Sequence, residues 1–222
     1  MNSPSSFLVT TFGLLVLLVA ARALWAVRSR SALLVGAGWL ILTGGLASSG
    51  LLAHFEGFPP PLLKVVLPTL IATVLLCSSS LATEWIKRWS LAGLVGFQAF
   101  RLPLECVMHQ AYQEGVMPPQ MTFTGRNFDI LTGTLAIPLA LWLAHNRPPT
   151  ALVWGWNLLG LGLLINVVGV AVLSMPGPMR YFTDQPINVW VAYFPFVWLP
   201  TVLVPLALAG HILIARKLID NP

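Results

Sequence analysis

The chain has 222 residues, of which 57% are hydrophobic and only 9% are charged. This composition excludes a soluble domain with a solvated surface and indicates a polytopic membrane protein whose main partner is the lipid bilayer. The formal net charge is +5, but the twelve Lys and Arg residues form no run or stripe. We therefore interpret them as orientation signals of short membrane loops, and we expect no nucleic-acid partner.

Apolar stretches of about 20 residues, the length needed to cross a bilayer, recur along the whole chain. They predict an all-α transmembrane helix bundle that forms one domain, residues 1–222. In chain order the seven predicted spans are 7–27, 32–53, 62–82, 91–112, 129–145, 151–173 and 188–215. The fifth is short and contains Pro138, so a kinked or partly re-entrant segment is an alternative there.

Basic residues are distributed unequally between the two sides of these spans. One side carries eight of them, Arg22, Arg28, Arg30, Lys87, Arg88, Arg147, Arg216 and Lys217. The other side carries three, Lys64, Arg126 and Arg180. Because cytoplasmic loops hold the excess of Lys and Arg, we predict an external N-terminus and a cytoplasmic C-terminus.

The fourth span carries a stripe of polar side chains. At 100° per residue its members fall within about 80° of one another. They are Gln98, Arg101, Glu105, His109 and Tyr112. Ionisable groups are costly in hydrocarbon and usually serve function, so the stripe is the first candidate for a ligand-binding site. The spacing of Arg101 and Glu105, one helical turn apart, predicts that these two charges are coupled.

The segments after this span add further polar groups to the candidate site. Arg126, Asn127 and Asp129 lie at the mouth of the next helix, while Asn157 and Asn166 lie on the sixth span. We expect Asp129 to cap that helix or to pair with Arg101 or Arg126.

Two alternatives use the same residues. In the first, the stripe only locks helix packing, because buried polar groups in membranes also serve as interhelical contacts. In the second, the protein is a membrane-embedded enzyme, with Glu105 and His109 as metal ligands and Asp129 or His54 as a third. Whether the protein is an enzyme stays open.

The four histidines leave a haem alternative open as well, although we assign no cofactor. His54 and His109 lie toward the outside, while His145 and His211 lie toward the cytoplasm, which allows two bis-imidazole sites in principle. A further alternative is an accessory subunit whose polar stripe contacts another membrane protein.

Four sequence segments resemble a family of small bacterial integral membrane proteins without assigned activity. They are FRLPLECVMH at 100–109, MTFTGRNFDI at 121–130, WNLLGL at 156–161 and FPFVWLP at 194–200. The resemblance covers about half the chain, from the fourth span onward. It implies a multi-pass protein of the bacterial inner membrane and supplies no activity.

The leading interpretation is a protein that binds a small ligand or ion, for transport or sensing. The site would be an intramembrane polar pocket formed by the last four spans and open to the extracytoplasmic side. Glu105 and His109 would carry the proton or ligand, and Arg101 would act as an electrostatic anchor.

Overall fold

Helices form all the regular secondary structure in residues 2–220, the part of the chain that this computed structural model describes. In chain order they are α1 (Ser6–Val27), α2 (Arg30–Ser48), α3 (Pro61–Ser78), α4 (Ser80–Arg88), α5 (Leu91–Gln113), α6 (Ile130–His145), α7 (Thr150–Leu173) and α8 (Leu199–Asp220). Six of them, all except α4 and α6, are long and apolar enough to cross a membrane. The prediction of an all-helical protein is confirmed for these residues.

Serine caps and a left-handed turn set the boundary between α1 and α2. The Ser5 side chain accepts a hydrogen bond from the Leu8 amide at the start of α1. At its end, Arg28 adopts φ 52° and its amide donates to the Trp25 carbonyl. The Ser29 side chain then caps α2 by accepting from the Ala32 amide. Such caps satisfy backbone groups that a helix end leaves free, so they fix a short connection.

The second and third spans end earlier than the sequence predicts. In span 32–53 the α-helix ends at Ser48, because Gly50 takes φ 78° and turns the chain into a short 3₁₀ turn at Leu51–Ala53. Span 62–82 breaks at Ser79, which has extended backbone angles, and α4 begins at the next residue. The side chain of Arg216 donates to the carbonyls of Cys77 and Ser79, and Lys217 donates to the carbonyl of Ile86. These bonds tie the end of α3 and α4 to the end of α8.

The last span starts at Leu199 rather than at residue 188. The apolar residues between these positions form a loop that packs into the bundle, so their hydrophobicity reflects burial rather than a longer helix. Trp190 and Phe196 are 1% and 2% exposed, and the Phe196 ring lies 4.8 Å from the Trp190 ring and 5.2 Å from the Phe12 ring.

Helix contacts place α5 and α8 at the centre of the bundle. α5 packs along α6, and α8 packs against both α3 and α7. The approach of α6 to α5 is close at Gly133, where a Cβ atom would lie 3.0 Å from the carbonyl carbon of Arg101. Two irregular turns border this region, a 3₁₀ turn at Gln98–Phe100 in α5 and a π turn at Leu199–Leu203 in α8.

Candidate functional site

Arg101 on α5 forms a buried ion pair with Asp129, the residue that precedes α6. Arg101 is 1% exposed, and its Nε and Nη2 atoms donate to the two carboxylate oxygens of Asp129. Thr132 Oγ1 donates to Asp129 Oδ1 over 3.3 Å. Within residues 2–220 Arg101 has no salt bridge to Glu105, so the predicted coupling of these two charges does not take the form of a direct pair, and the expected pairing of Asp129 with Arg101 is observed. The close approach of α6 to α5 brings Asp129 into the fork of the guanidinium instead.

His211 on α8 extends this ion pair toward α7. Arg101 Nη1 donates to His211 Nε2 over 2.7 Å, and His211 Nδ1 lies 2.9 Å from Asn157 Oδ1. Because arginine has no acceptor, Nε2 must be the unprotonated nitrogen, and Nδ1 carries the proton that it donates to Asn157. The Asn157 side-chain amide in turn donates to the His211 carbonyl over 3.2 Å. One network thus links α5, α6, α7 and α8.

Gly160 on α7 provides the space that this network needs. A Cβ atom at Gly160 would lie 2.5 Å from His211 Cε1 and 2.7 Å from Thr132 Cγ2. Its carbonyl also accepts a hydrogen bond from Arg101 Nη2 over 3.3 Å. A larger residue at this position would push His211 or Thr132 away from the ion pair.

Glu105 lies one turn beyond Arg101 and is 1% exposed. Its two carboxylate oxygens lie 2.9 and 2.8 Å from the same donor atom, Nδ2 of Asn127. That atom also donates to the Met121 carbonyl over 3.1 Å, and Asn127 Oδ1 accepts from the Asp129 amide. Asn127 therefore connects the Glu105 carboxylate to the backbone of Asp129.

Arg101, Glu105 and Asp129 all line a cavity of about 70 Å³ between α3, α5, α7 and α8. Among the described residues, these three are the charged members of its wall. Its remaining walls are almost entirely apolar, and they include Leu63, Val66, Leu164, Val168, Leu203 and Val204. The sequence predicts a polar pocket, whereas this cavity is an aliphatic space with charged groups on part of its wall.

A smaller hollow adjoins this cavity at one end of the bundle. The two share Leu63, Val172 and Met175 as wall residues. The hollow is also lined by Phe58 and by residues 176–180, which follow α7. The apolar space thus extends from the charged groups toward the loops after α2 and α7.

His109 lies outside both spaces, although it belongs to the predicted stripe. Its Nδ1 atom lies 2.9 Å from Thr122 Oγ1, and its Nε2 atom lies 3.2 Å from Gln113 Nε2. The ring stacks on Phe123 at 4.6 Å and lies 5.7 Å from the Tyr112 ring, which is 37% exposed. His109 and Tyr112 are thus parts of a separate aromatic contact near the end of α5.

The other predicted site residues have structural contacts away from the cavity. Gln98 Nε2 donates to the Ala207 carbonyl over 3.0 Å and so joins α5 to α8. The Arg126 guanidinium lies 5.2 Å from the Phe182 ring. The exposed Asn166 donates to the Arg126 carbonyl over 2.7 Å, which fixes the loop after α5 on α7.

The metal and haem alternatives have little geometric support. Within residues 2–220, no three His, Cys, Asp or Glu side chains lie close enough to hold a metal ion. His54 and His145 are exposed and bond to backbone carbonyls, while both ring nitrogens of His211 have side-chain partners. His211 was missed as a site residue because a lone histidine in an apolar helix has no sequence signal for its partner.

Comparison with known proteins gives one match. No curated protein and no solved structure matches the chain. The model of a protein family described as "Domain of unknown function (DUF8737)" matches residues 60–219, which contain α3 to α7, nearly all of α8 and every residue of the buried network. The chain therefore belongs to the DUF8737 family.

Proposed function

We propose that this protein is an integral membrane protein that binds a small amphiphilic ligand in the cavity between α3, α5, α7 and α8, for transport or sensing. The observation that carries the proposal is an aliphatic cavity whose wall includes three buried charged side chains, Arg101, Glu105 and Asp129. Ligand sites typically combine mostly apolar walls with a few polar groups that orient the ligand.

The size of the cavity suits a short alkyl chain. Since one water needs roughly 10–15 Å³ of such space, the cavity of about 70 Å³ has room for roughly five waters or for the first few methylene groups of an alkyl chain, the rest of which would lie along the adjoining hollow. A space walled by Leu and Val side chains offers water few hydrogen bonds, so an apolar group is the better occupant.

We propose two routes into the cavity. The first would pass from the lipid side between α3 and α7, which both line the cavity and pack against α8 but make at most marginal contact with each other. The smaller hollow near residues 176–180 provides a second route from the loop end. A ligand dissolved in the bilayer can use the first, and a ligand from the aqueous side can use the second.

An enzyme has less support from the same residues. Arg101, Asp129 and His211 are already hydrogen-bonded to one another. Both ring nitrogens of His211 are occupied, so this histidine is not free to act as a general base toward a substrate in the cavity.

We also propose seven membrane crossings in a bacterial cytoplasmic membrane, with the N-terminus outside. The excess of basic residues on one side supports this orientation. Contacts between helix ends support the alternating directions: the Ser5 amide donates to Glu114 at the end of α5, and Trp89 before α5 donates to the Ala26 carbonyl near the end of α1. α6 has 16 residues and would cover about 24 Å of the roughly 30 Å hydrocarbon core, so its crossing requires part of the segment before it.

Equilibrium binding of radiolabelled 1-octanol tests the cavity. The purified protein in lipid nanodiscs is compared with Val168→Trp, which fills the cavity from α7, and with Ile165→Trp, which adds the same side chain at a position that is 66% exposed. We expect wild type and Ile165→Trp to retain octanol in excess of empty nanodiscs, and Val168→Trp to lose that excess. Equal retention by all three proteins would contradict the proposal.

A further inference from the structure

The carboxylate of Glu105 has far fewer hydrogen bonds than its burial requires. Both oxygens face one donor atom, Asn127 Nδ2, and one of the two hydrogens on that atom is directed to the Met121 carbonyl. One N–H group therefore serves two oxygens that together offer about four acceptor positions. A buried charge normally requires a paired charge and several hydrogen bonds.

The charges around the cavity do not balance. Arg101 and Asp129 neutralise each other through their bidentate pair, and the neutral His211 ring accepts from Arg101. Glu105 remains without a cation, since the salt bridges in the described part of the chain join Lys87 to Glu84 and Arg101 to Asp129. With Glu105 ionised, the wall of the cavity carries one net negative charge.

Arg101 is not free to receive an anionic ligand. It has five N–H donors, and four of them are directed to Asp129, Gly160 and His211. A ligand carboxylate or phosphate would have to displace Asp129 from this pair, and the displaced carboxylate would then remain buried without a partner.

From these contacts we propose that the ligand of this cavity is an organic ammonium ion with a short apolar chain, and that Glu105 is its counter-ion. The proposal rests on the function proposed above and specifies the ligand class. The ammonium group donates to the free acceptor positions of Glu105, and the alkyl chain lies along the aliphatic walls. Binding of such a ligand restores neutrality at the buried cluster.

The experiment compares three probes that share one chain, octylamine, 1-octanol and octanoate, at pH 7 in nanodiscs. Each is titrated as a radiolabelled ligand, and its binding to discs that carry Val168→Trp is subtracted. We expect wild type to bind octylamine at least about tenfold more tightly than 1-octanol, and to bind octanoate more weakly than 1-octanol.

Substitutions at Glu105 test its role as the counter-ion. Glu105→Gln keeps the shape of the side chain and removes its charge. The affinities of this variant for octylamine and for 1-octanol should therefore come within about twofold of each other. Glu105→Asp keeps the charge and should retain a preference for octylamine, which provides a second measurement if the glutamine variant fails to fold. Glu84→Gln removes the same charge from an exposed position and should leave the preference unchanged.

The outcomes separate this proposal from the function on which it rests. If 1-octanol binds in the cavity but wild type shows no preference for octylamine, the counter-ion proposal fails and the cavity remains a ligand site. A preference that persists in Glu105→Gln also overturns it. If neither probe binds above the level of Val168→Trp, both proposals fail.

Discussion

Arg101 shows how one buried cation is accommodated inside an apolar bundle. Its guanidinium joins a carboxylate, a histidine and a backbone carbonyl from three neighbouring segments. These partners come from distant parts of the sequence. The guanidinium therefore obtains all of its hydrogen bonds only when α6, α7 and α8 have packed on α5. Removal of either charge leaves the other buried and unpaired, which costs about 3–5 kcal/mol.

A double-mutant cycle on Arg101 and Asp129 tests this pairing. Arg101→Leu and Asp129→Leu should each lower the free energy of unfolding by several kcal/mol, and the double variant should cost at least about 1 kcal/mol less than the sum. Unfolding in detergent, followed by heat or denaturant, measures the three values.

The exposed pair Lys87 and Glu84 is the control for this cycle. These side chains are 66% and 58% exposed with an N–O distance of 3.0 Å. Their coupling energy should be about 0.5 kcal/mol or less, because solvent screens exposed charges. Strict additivity at Arg101 and Asp129 would show that the ion pair does not form.

At the scale of helices, small residues decide how closely neighbours pack. Gly133 allows α6 to approach the backbone of α5, and Gly160 leaves space for His211 and Thr132 beside α7. These contacts position Asp129 and His211 around Arg101, so the geometry of the charged cluster depends on the absence of two side chains.

Two glycine substitutions on α7 should have opposite effects. Gly160→Ala should destabilise the protein by about 1–3 kcal/mol, because the added methyl group collides with His211 and Thr132. Gly155→Ala meets no atom within 4 Å and should stabilise by up to about 1 kcal/mol through helix propensity. Thermal unfolding of both variants measures the difference, and equal effects would contradict the close packing at Gly160.

The start of α1 is joined to the end of α5 by a carboxylate. Glu114 accepts from the Ser5 amide over 2.8 Å and from the Ser5 hydroxyl over 2.7 Å. Burial disfavours ionisation of Glu114, but these bonds and one from the Gln110 side chain outweigh it and hold the pKa below the usual 4.5. The lowered pKa makes this connection sensitive to acid.

The stabilising effect of Glu114 should disappear at low pH. Because the pKa is lower in the folded state, the contribution is complete above pH 4.5 and is lost as the pH falls through the lowered pKa. The thermal midpoint of wild type should therefore exceed that of Glu114→Gln at pH 7, and the gap should close in acid. Glu56 is exposed, so Glu56→Gln should have the same thermal midpoint as wild type at both pH values. If the difference in thermal midpoint between wild type and Glu114→Gln stays constant with pH, ionisation of Glu114 does not contribute to stability.

At the scale of the whole molecule, the proposed seven-span topology requires that α6 crosses the membrane. It is shorter than the six helices that have the length of a span. However, the loop before it is buried at Thr122 and Asn127, both 0% exposed, so the chain enters the bundle before α6 begins. We expect the short helix and this buried segment to cross together.

Reporter fusions measure this topology. Fusions after Arg88 and Arg147 should report the cytoplasm, and a fusion within residues 114–128 should report the external side. If α6 does not cross, the fusions within 114–128 and after Arg147 will report the same side. A fusion after Arg30 provides the cytoplasmic reference.

The sequence by itself determined the helical class and most helix positions. Apolar length is a local property, so α1, α5, α6 and α7 agree with the predicted spans within a residue or two. Ionisable residues are costly in an apolar span, so the sequence also identified Arg101 and Glu105 as candidate site residues, together with Asn127 and Asp129 in the segment that follows. Local hydropathy could not distinguish lipid-facing residues from residues buried against protein, which is why 188–198 was predicted as helix.

Only the tertiary structure decided which polar groups meet. Asp129 and His211 lie 28 and 110 residues from Arg101, and the helix crossings at Gly133 and Gly160 bring them together. The spacing along α5 favoured Glu105 as the partner of Arg101, but a carboxylate from α6 could reach two guanidinium nitrogens at once. The aliphatic walls arise in the same way, because four helices contribute side chains that no single segment of sequence places side by side.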